Sequence, residues 1–261
     1  MMGIGLLYFI VIIFANTIGA ISGMGGGIII RPVFEVIGYH QVVAISFYSS
    51  IAVFTMSITA TYRQLINGVK VRAKIAVAIS LSAIVGGFLG NSVFESLFLF
   101  FNSESAVNLV QIILTILSLI FVLFATKEQM VTYRLSHWFW YLGVGLFLGF
   151  LASLLGIGGG PINVALLMLL FSIPIKEATT YSIITIFFSQ LARLVSVHVT
   201  TGFDRFDLSL LLWIIPAAML GGFLGGSLSK FASERLVLKI FKWTVGSIIL
   251  LNIGNGILLF V

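Results

Sequence analysis

Ser22-Gly23-Met24-Gly25-Gly26-Gly27-Ile28-Ile29-Ile30-Arg31-Pro32 and Leu155-Gly156-Ile157-Gly158-Gly159-Gly160-Pro161-Ile162-Asn163 are one device used twice. Each follows roughly twenty apolar residues, interrupts them with a glycine cluster, and resumes an apolar run too short to cross a bilayer. Glycine weakens a helix by about 1 kcal/mol per residue relative to alanine, so three in succession end one. In hydrocarbon the freed N–H and C=O groups would go unpaired at several kcal/mol each, and such backbone is tolerated only where protein buries it or it lines a cavity. The helix that restarts turns free N–H groups and the positive end of its dipole toward that place, which outlines an anion site. The central glycines, Gly26 and Gly159, are the positions where positive φ is expected.

The composition around these clusters fits that reading. Of 261 residues, 60% are hydrophobic and 8% charged, with a mean hydropathy of +1.20; both shares lie far from those of soluble domains. The formal charge of +6 does not indicate nucleic acid, because the basic residues are scattered singly between apolar runs. They read as topology determinants. With no cysteine, disulfides, thiolate chemistry and cysteine-ligated metals are excluded. The first apolar segment lacks a basic leader and a small-residue cleavage site, so it is expected to stay as a spanning helix.

Apolar runs predict spans near 3–22, 42–66, 73–98 and 106–125, then near 137–155, 177–199, 207–229 and 236–260. Two half-helices are expected near 28–38 and 161–172. The halves align: the offset that carries Gly25 onto Gly158 also carries Tyr48-Ser49 onto Tyr181-Ser182 and Phe54 onto Phe187. After two small insertions, Gly86-Gly87-Phe88-Leu89-Gly90 falls on Gly221-Gly222-Phe223-Leu224-Gly225. The expected fold is therefore all-α: a polytopic membrane protein of two pseudo-symmetric repeats, each with four spanning helices and one half-helix, and with the glycine breaks at the repeat interface. Residues 1–126 form the first repeat, 127–136 a cytoplasmic linker and 137–261 the second.

Charge orients the repeats. If each glycine hairpin enters and returns, every repeat has an odd number of segments and the two are inverted. Lys70, Arg72, Lys74, Lys127, Arg134, Lys176, Lys230, Arg235, Lys239 and Lys242 then share one face, against Glu95, Glu104, Asp204, Arg205 and Asp207 on the other. That bias places the basic face in the cytoplasm and both termini outside the cell membrane.

The residues expected at a substrate site begin with Gly25, Gly26, Gly27, Gly158, Gly159 and Gly160. Asn163 adds an amide near the second tip. Tyr48, Ser49, Tyr181, Ser182 and Gln190 supply hydroxyl and amide groups in the helices that follow the half-helices. Arg31 and Arg193 are intramembrane charges, costly and usually functional, although Arg31 can also pair with Glu35 one turn on. Gly86, Gly87, Gly90, Gly221, Gly222 and Gly225 sit at the spacing of close helix packing instead. His40, His137 and His198 are isolated, near segment ends. No paired carboxylates, histidine cluster or G-x-S-x-G occurs in the spans, and the glycines lack the strand, the Lys-Ser/Thr and the acidic residue of a nucleotide site. An enzyme is not expected, nor any metal.

These residues resemble the TauE/SafE sulfite exporter family, also called the toluene sulfonate uptake permease family, along essentially the whole chain. Its duplicated G-x-G-G-G element is matched by Gly23-Met24-Gly25-Gly26-Gly27, with Pro32 five residues on, and by Gly156-Ile157-Gly158-Gly159-Gly160. Lys176-Glu177-Ala178-Thr179-Thr180-Tyr181-Ser182 is similar to the hydroxyl-rich run after its second half-helix, and Thr201-Gly202 to its loop glycine. The second copy departs from the first in having Pro161 at once after the cluster and Ala165 where the first has Pro32. The resemblance implies a secondary transporter of sulfite, sulfonates or related small sulfur-containing anions across the cell membrane, without a cofactor. The partners expected are that anion and the lipid bilayer, not nucleic acid; a coupled proton or ion and a homodimer stay open, as do an anion channel and a non-transporting scaffold.

Overall fold

A computed structural model describes residues 2–127, 132–155 and 159–258, with the backbone alone at Met2, Glu104 and Leu258. Eight helices are long and apolar enough to cross a membrane. They are α1 (Met2–Ser22), α3 (Val42–Ile66), α4 (Ala73–Phe101), α5 (Glu104–Ala125), α6 (Trp138–Leu155), α8 (Ile175–Thr200), α9 (Leu211–Leu228, led in by a 3-10 turn at Leu208–Leu210) and α10 (Glu234–Leu258). Two are short: α2 (Gly27–Ile37, 11 residues) and α7 (Gly160–Phe171, 12 residues). Among the described residues there is no strand.

Local chemistry sets the ends of the short helices. α2 stops where Gly38 turns left-handed (φ 67°) and its N–H caps Phe34 O. α7 starts from Gly159 (φ 65°) with Pro161 in its first turn, where the missing N–H costs nothing. At about 1.5 Å per residue each short helix covers roughly half of a 30 Å hydrocarbon core.

The two halves of the sequence exchange helices. α4 lies along α6, and its counterpart α9 lies along α1; α3 packs on α9 as α8 does on α4. Glycine makes these approaches possible: a Cβ on Gly86 or Gly90 would overlap the carbonyl of Leu146 or Phe150, and one on Gly225 the carbonyl of Thr17. The packing role expected of these glycines holds.

The ring of Tyr8 stacks on Phe34 with centroids 3.6 Å apart, so α2 doubles back beside α1 toward its start. At the far end of α1, Gln64 Nε2 donates to Ala20 O at 2.9 Å, so α3 runs beside α1 in the same direction. α8 runs the opposite way, since Leu194 and Val197 near its end share an apolar cluster with Phe47 near the start of α3. Leu99, Leu212, Trp243 and Leu250 are among many large apolar side chains left exposed, a surface suited to lipid rather than water.

Candidate functional site

The glycine tips meet at the centre of the helix packing. A Cβ on Gly160 would collide with the carbonyl of Met24, and one on Gly23 with Cα of Thr179. Ser182 Oγ donates to Gly23 O at 2.6 Å and lies 3.3 Å from Gly160 O, tying the two breaks together. Gly23 (φ 73°), Gly25 (φ 70°) and Gly159 (φ 65°) are left-handed, which a side chain resists. Gly26 is not: its φ is −71°. Its need for glycine is steric, because a Cβ there would overlap Asn16 Oδ1. Positive φ is needed one residue earlier, where the chain turns out of α1. Gly156, Ile157 and Gly158 lie outside the described residues.

Bonding within the short helices starts with Ile29 N and Ile30 N to Gly26 O (3.0 and 2.9 Å) in α2 and with Asn163 N to Gly159 O (3.1 Å) in α7. The N–H groups just before these belong to the open first turns, Gly27 and Gly160 among them. Along α3, α7 and α8, several polar side chains are buried without hydrogen-bond partners. Asn163 lacks a partner for both amide atoms, and Ser49 Oγ, Gln190 Nε2 and Arg193 Nη1 lack theirs. An unpaired buried polar group costs about 1 to 3 kcal/mol, more if charged, so each marks a position suited to something polar.

Arg193 stands out among them. It is 3% exposed, and among the described residues no carboxylate comes within 4.0 Å of its guanidinium. The group lies over the ring of Phe94, 5.7 Å from its centroid. It borders a small space lined also by Ser50, Asn91, Glu95 and Arg205. Glu95 attracts Arg193 across that space without pairing with it, so the buried guanidinium is only partly compensated and a bound anion would complete it.

Arg31 is different, because every face of it is taken. Its Nε donates to Glu35 Oε1 at 2.8 Å, Nη1 to Leu155 O, and Nη2 to Gln111 Oε1 and Asn108 Oδ1. Gln111 itself donates to Leu154 O at 2.6 Å. Arg31 thus holds the carbonyl end of α6, where the second break begins, in place of a helix cap.

The hydroxyls of the two tyrosines bind the backbone before α9 and α4 rather than the tips. Tyr48 OH donates to Asp207 O (3.2 Å) and accepts from Asp207 N (3.1 Å). Tyr181 OH accepts from Arg72 N at 2.6 Å. Asp207 precedes α9 as Arg72 precedes α4, so each tyrosine fastens the matching loop of the other half.

Reasoning from sequence passed over Asn16, whose Oδ1 is unpartnered beside Gly26, and Ser153, whose Oγ is unpartnered near Gly87. An amide inside the otherwise apolar run of α1 was the available signal. Among the described residues no group of histidines and carboxylates is arranged to hold a metal.

The profile of the family described as sulfite exporter TauE/SafE matches residues 8–252. A stretch of 113 residues, 43% of this chain, is 34% identical to the probable membrane transporter protein YunE of Bacillus subtilis (strain 168) and spans 38% of that protein's length. No solved structure matches the chain.

Proposed function

The chain belongs to the sulfite exporter TauE/SafE family of multi-pass membrane transporters, and from that premise we propose that it is a secondary transporter of a small sulfur-containing anion, sulfite or an organosulfonate. The observation that carries the choice of an anion is Arg193, a buried guanidinium that makes no ion pair within 4.0 Å among the described residues and borders a space shared with Glu95 and Arg205. Gln190 lies nearly one turn before Arg193 on α8, and Asn163 and the first-turn N–H groups of α2 and α7 lie further in. All these groups except the Asn163 carbonyl oxygen can donate to an anion. The half-helix N-termini add positive potential where the breaks meet.

In this reading the repeats are inverted across the membrane, and the end of the molecule carrying Arg72, Lys176 and Lys230 faces the cytoplasm. Support comes from the opposite directions of α3 and α8. The glycine tips are in backbone contact, so an anion crosses the middle only when they part, which is alternating access. The family's name supplies sulfite, and nothing in the donor set distinguishes it from a sulfonate of similar size.

The test is a panel of anions offered to purified protein. Binding to the folded state adds about 2.7 kcal/mol at a hundredfold excess over Kd, so sulfite, thiosulfate or a small sulfonate should raise the unfolding temperature, and saturable flux should follow in liposomes. A rise seen only with cations or amines overturns the reading; flux that never saturates points to a channel instead.

A further inference from the structure

The Arg193 cavity has a twin at the opposite end of the molecule. A space there is lined by Gln64, Asn67, Lys176, Thr179, Ser229 and Lys230. Under the offsets that superpose the repeats, Lys176 takes the place of Val43, Gln64 that of Val197, Ser229 that of Phe94 and Lys230 that of Glu95. The two cavities are therefore one architectural feature seen twice, and the lining has diverged. Apolar or acidic positions at the Asp207 end have become lysine and hydroxyl at the Lys230 end.

Two lysines line this space, and among the described residues no carboxylate lies within 4.0 Å of either ammonium. Like charges sharing a partly enclosed space repel, and a bound anion relieves both. The hydroxyls of Thr179 and Ser229 already donate to Lys176 O (2.8 Å) and Gly226 O (2.8 Å), which leaves the lysines and the Asn67 amide as the charged and neutral recognition groups. Asn67 Nδ2 donates to Gly226 O at 2.8 Å. Gln64 Nε2 is fixed on Ala20 O, which leaves its buried Oε1 as an unpartnered acceptor, suited to an ammonium, a water or an anion's own hydroxyl.

The geometry points to this cavity as a second anion site, an antechamber in which Lys176 and Lys230 collect a small sulfonate or sulfite-like oxyanion before it reaches the glycine tips. The inference rests on the anion reading above and adds a location and a sidedness to it. A cleft lined by one sign of charge raises the local concentration of its counter-ion by about tenfold or more. Loading from the Lys230 end is thereby favoured over loading from the Glu95 end.

The chain has no cysteine, so Ser229→Cys places one thiol in the cavity. Its rate of modification is measured in purified protein with two methanethiosulfonate reagents, one carrying a sulfonate and one a trimethylammonium. Relative to a free thiol, the sulfonate reagent should be favoured about tenfold, falling toward parity as salt is raised. Ethanesulfonate should slow modification saturably, and Lys176→Gln with Lys230→Gln, singly and together, should abolish both effects. Absence of charge preference, or protection that survives loss of both lysines, overturns the antechamber even if the protein transports. Conversely, preference and protection in a protein that moves no sulfur anion would leave this site standing and remove the transport reading. In liposomes, the lysine changes should raise half-saturation about tenfold from the Lys230 side alone; an equal shift from both sides overturns the sidedness.

Discussion

Phe54 and Phe187 occupy the same place in the two halves of the sequence and stack on each other, with ring centroids 5.0 Å apart and planes 19° from parallel. Equivalent residues of two repeats touch each other only where an axis relating the repeats passes between them, so in the proposed two-repeat arrangement that axis runs through the crossing of α3 and α8. The glycine breaks flank it: Gly25 has Val53 Cγ1 and Ile186 Cδ1 each 3.3 Å from the position of a Cβ, and those residues are again an equivalent pair.

That crossing can be tested by joining it. Phe54→Cys with Phe187→Cys in the cysteine-free chain should form a disulfide that keeps the two halves together on a denaturing gel after cleavage in the linker, and should stop flux reversibly. Halves that separate after oxidation would contradict the crossing.

Topology gives a second expectation. Single cysteines at Arg72 and Lys230 should be silent to an impermeant thiol reagent in intact cells and react after lysis, whereas those at Glu104 and Asp207 should react in intact cells. Opposite behaviour of positions 72 and 230 would rule out inverted repeats.

The glycines divide into two physical classes, and substitution should separate them. Gly25→Ala and Gly159→Ala force a Cβ onto left-handed backbone, at about 1 to 3 kcal/mol. Gly26→Ala meets the Asn16 side chain first and the Asn16 backbone N at 2.9 Å behind it, so Asn16→Gly should restore part of the lost thermal stability to Gly26→Ala and give no rescue to Gly159→Ala. Equal rescue of both would place the conflict at Gly26 elsewhere than Asn16. All three variants should lose most anion binding while remaining monodisperse.

Arg193→Leu should have effects of opposite sign. Removing a buried charge that makes no ion pair relieves a desolvation penalty and the repulsion from Arg31, which together outweigh the lost attraction to Glu95, so the ligand-free protein should unfold at an equal or higher temperature. The stabilisation by sulfite or a sulfonate should disappear. A variant that is less stable when ligand-free and still responds to the anion would show Arg193 to be structural, as the hydrogen bonds of Arg31 already mark that residue. Arg31→Gln, by contrast, should lower stability by about 3 to 5 kcal/mol, since it leaves Glu35 buried and uncompensated.

His40 gives a pH dependence. It lies between spans, with Nδ1 2.8 Å from Tyr8 OH. Burial pushes its pKa below the usual 6.5, outweighing the pull of Asp207. The unfolded chain therefore binds the proton more readily, and stability is full above about pH 6.5 and declines as pH falls through that value toward the folded pKa. Asp207, held low by hydrogen bonds from Ser209, loses its contribution only in the more acidic carboxylate range. His40→Gln should flatten the unfolding temperature between about pH 5 and pH 7; an unchanged slope would assign the dependence to another group.

Most of the secondary structure was legible because hydrocarbon permits few alternatives. Apolar runs of spanning length, and two that were too short, gave α1 to α10 within a few residues, and the internal repeat predicted which helices would be equivalent. The packing glycines of α4 and α9 were also readable, since close approach of helices leaves a fixed spacing of small residues. The roles of individual polar groups were not. Arg31 and Arg193 both read as intramembrane cations, and sequence offers Arg31 one partner, Glu35, four residues on. Their difference depends on Gln111, Asn108 and Leu155 O converging on one of them from α5 and α6, while nothing comparable reaches the other. Gly26 and Gly159 also occupy equivalent places, yet one is excluded from bearing a side chain by Asn16 and the other by its own backbone angle. Periodicity and hydropathy are sums over neighbours in the chain, and they fix helices. Whether a buried charge finds a partner depends on atoms brought together by packing from distant parts of the sequence, and only the tertiary structure decides that.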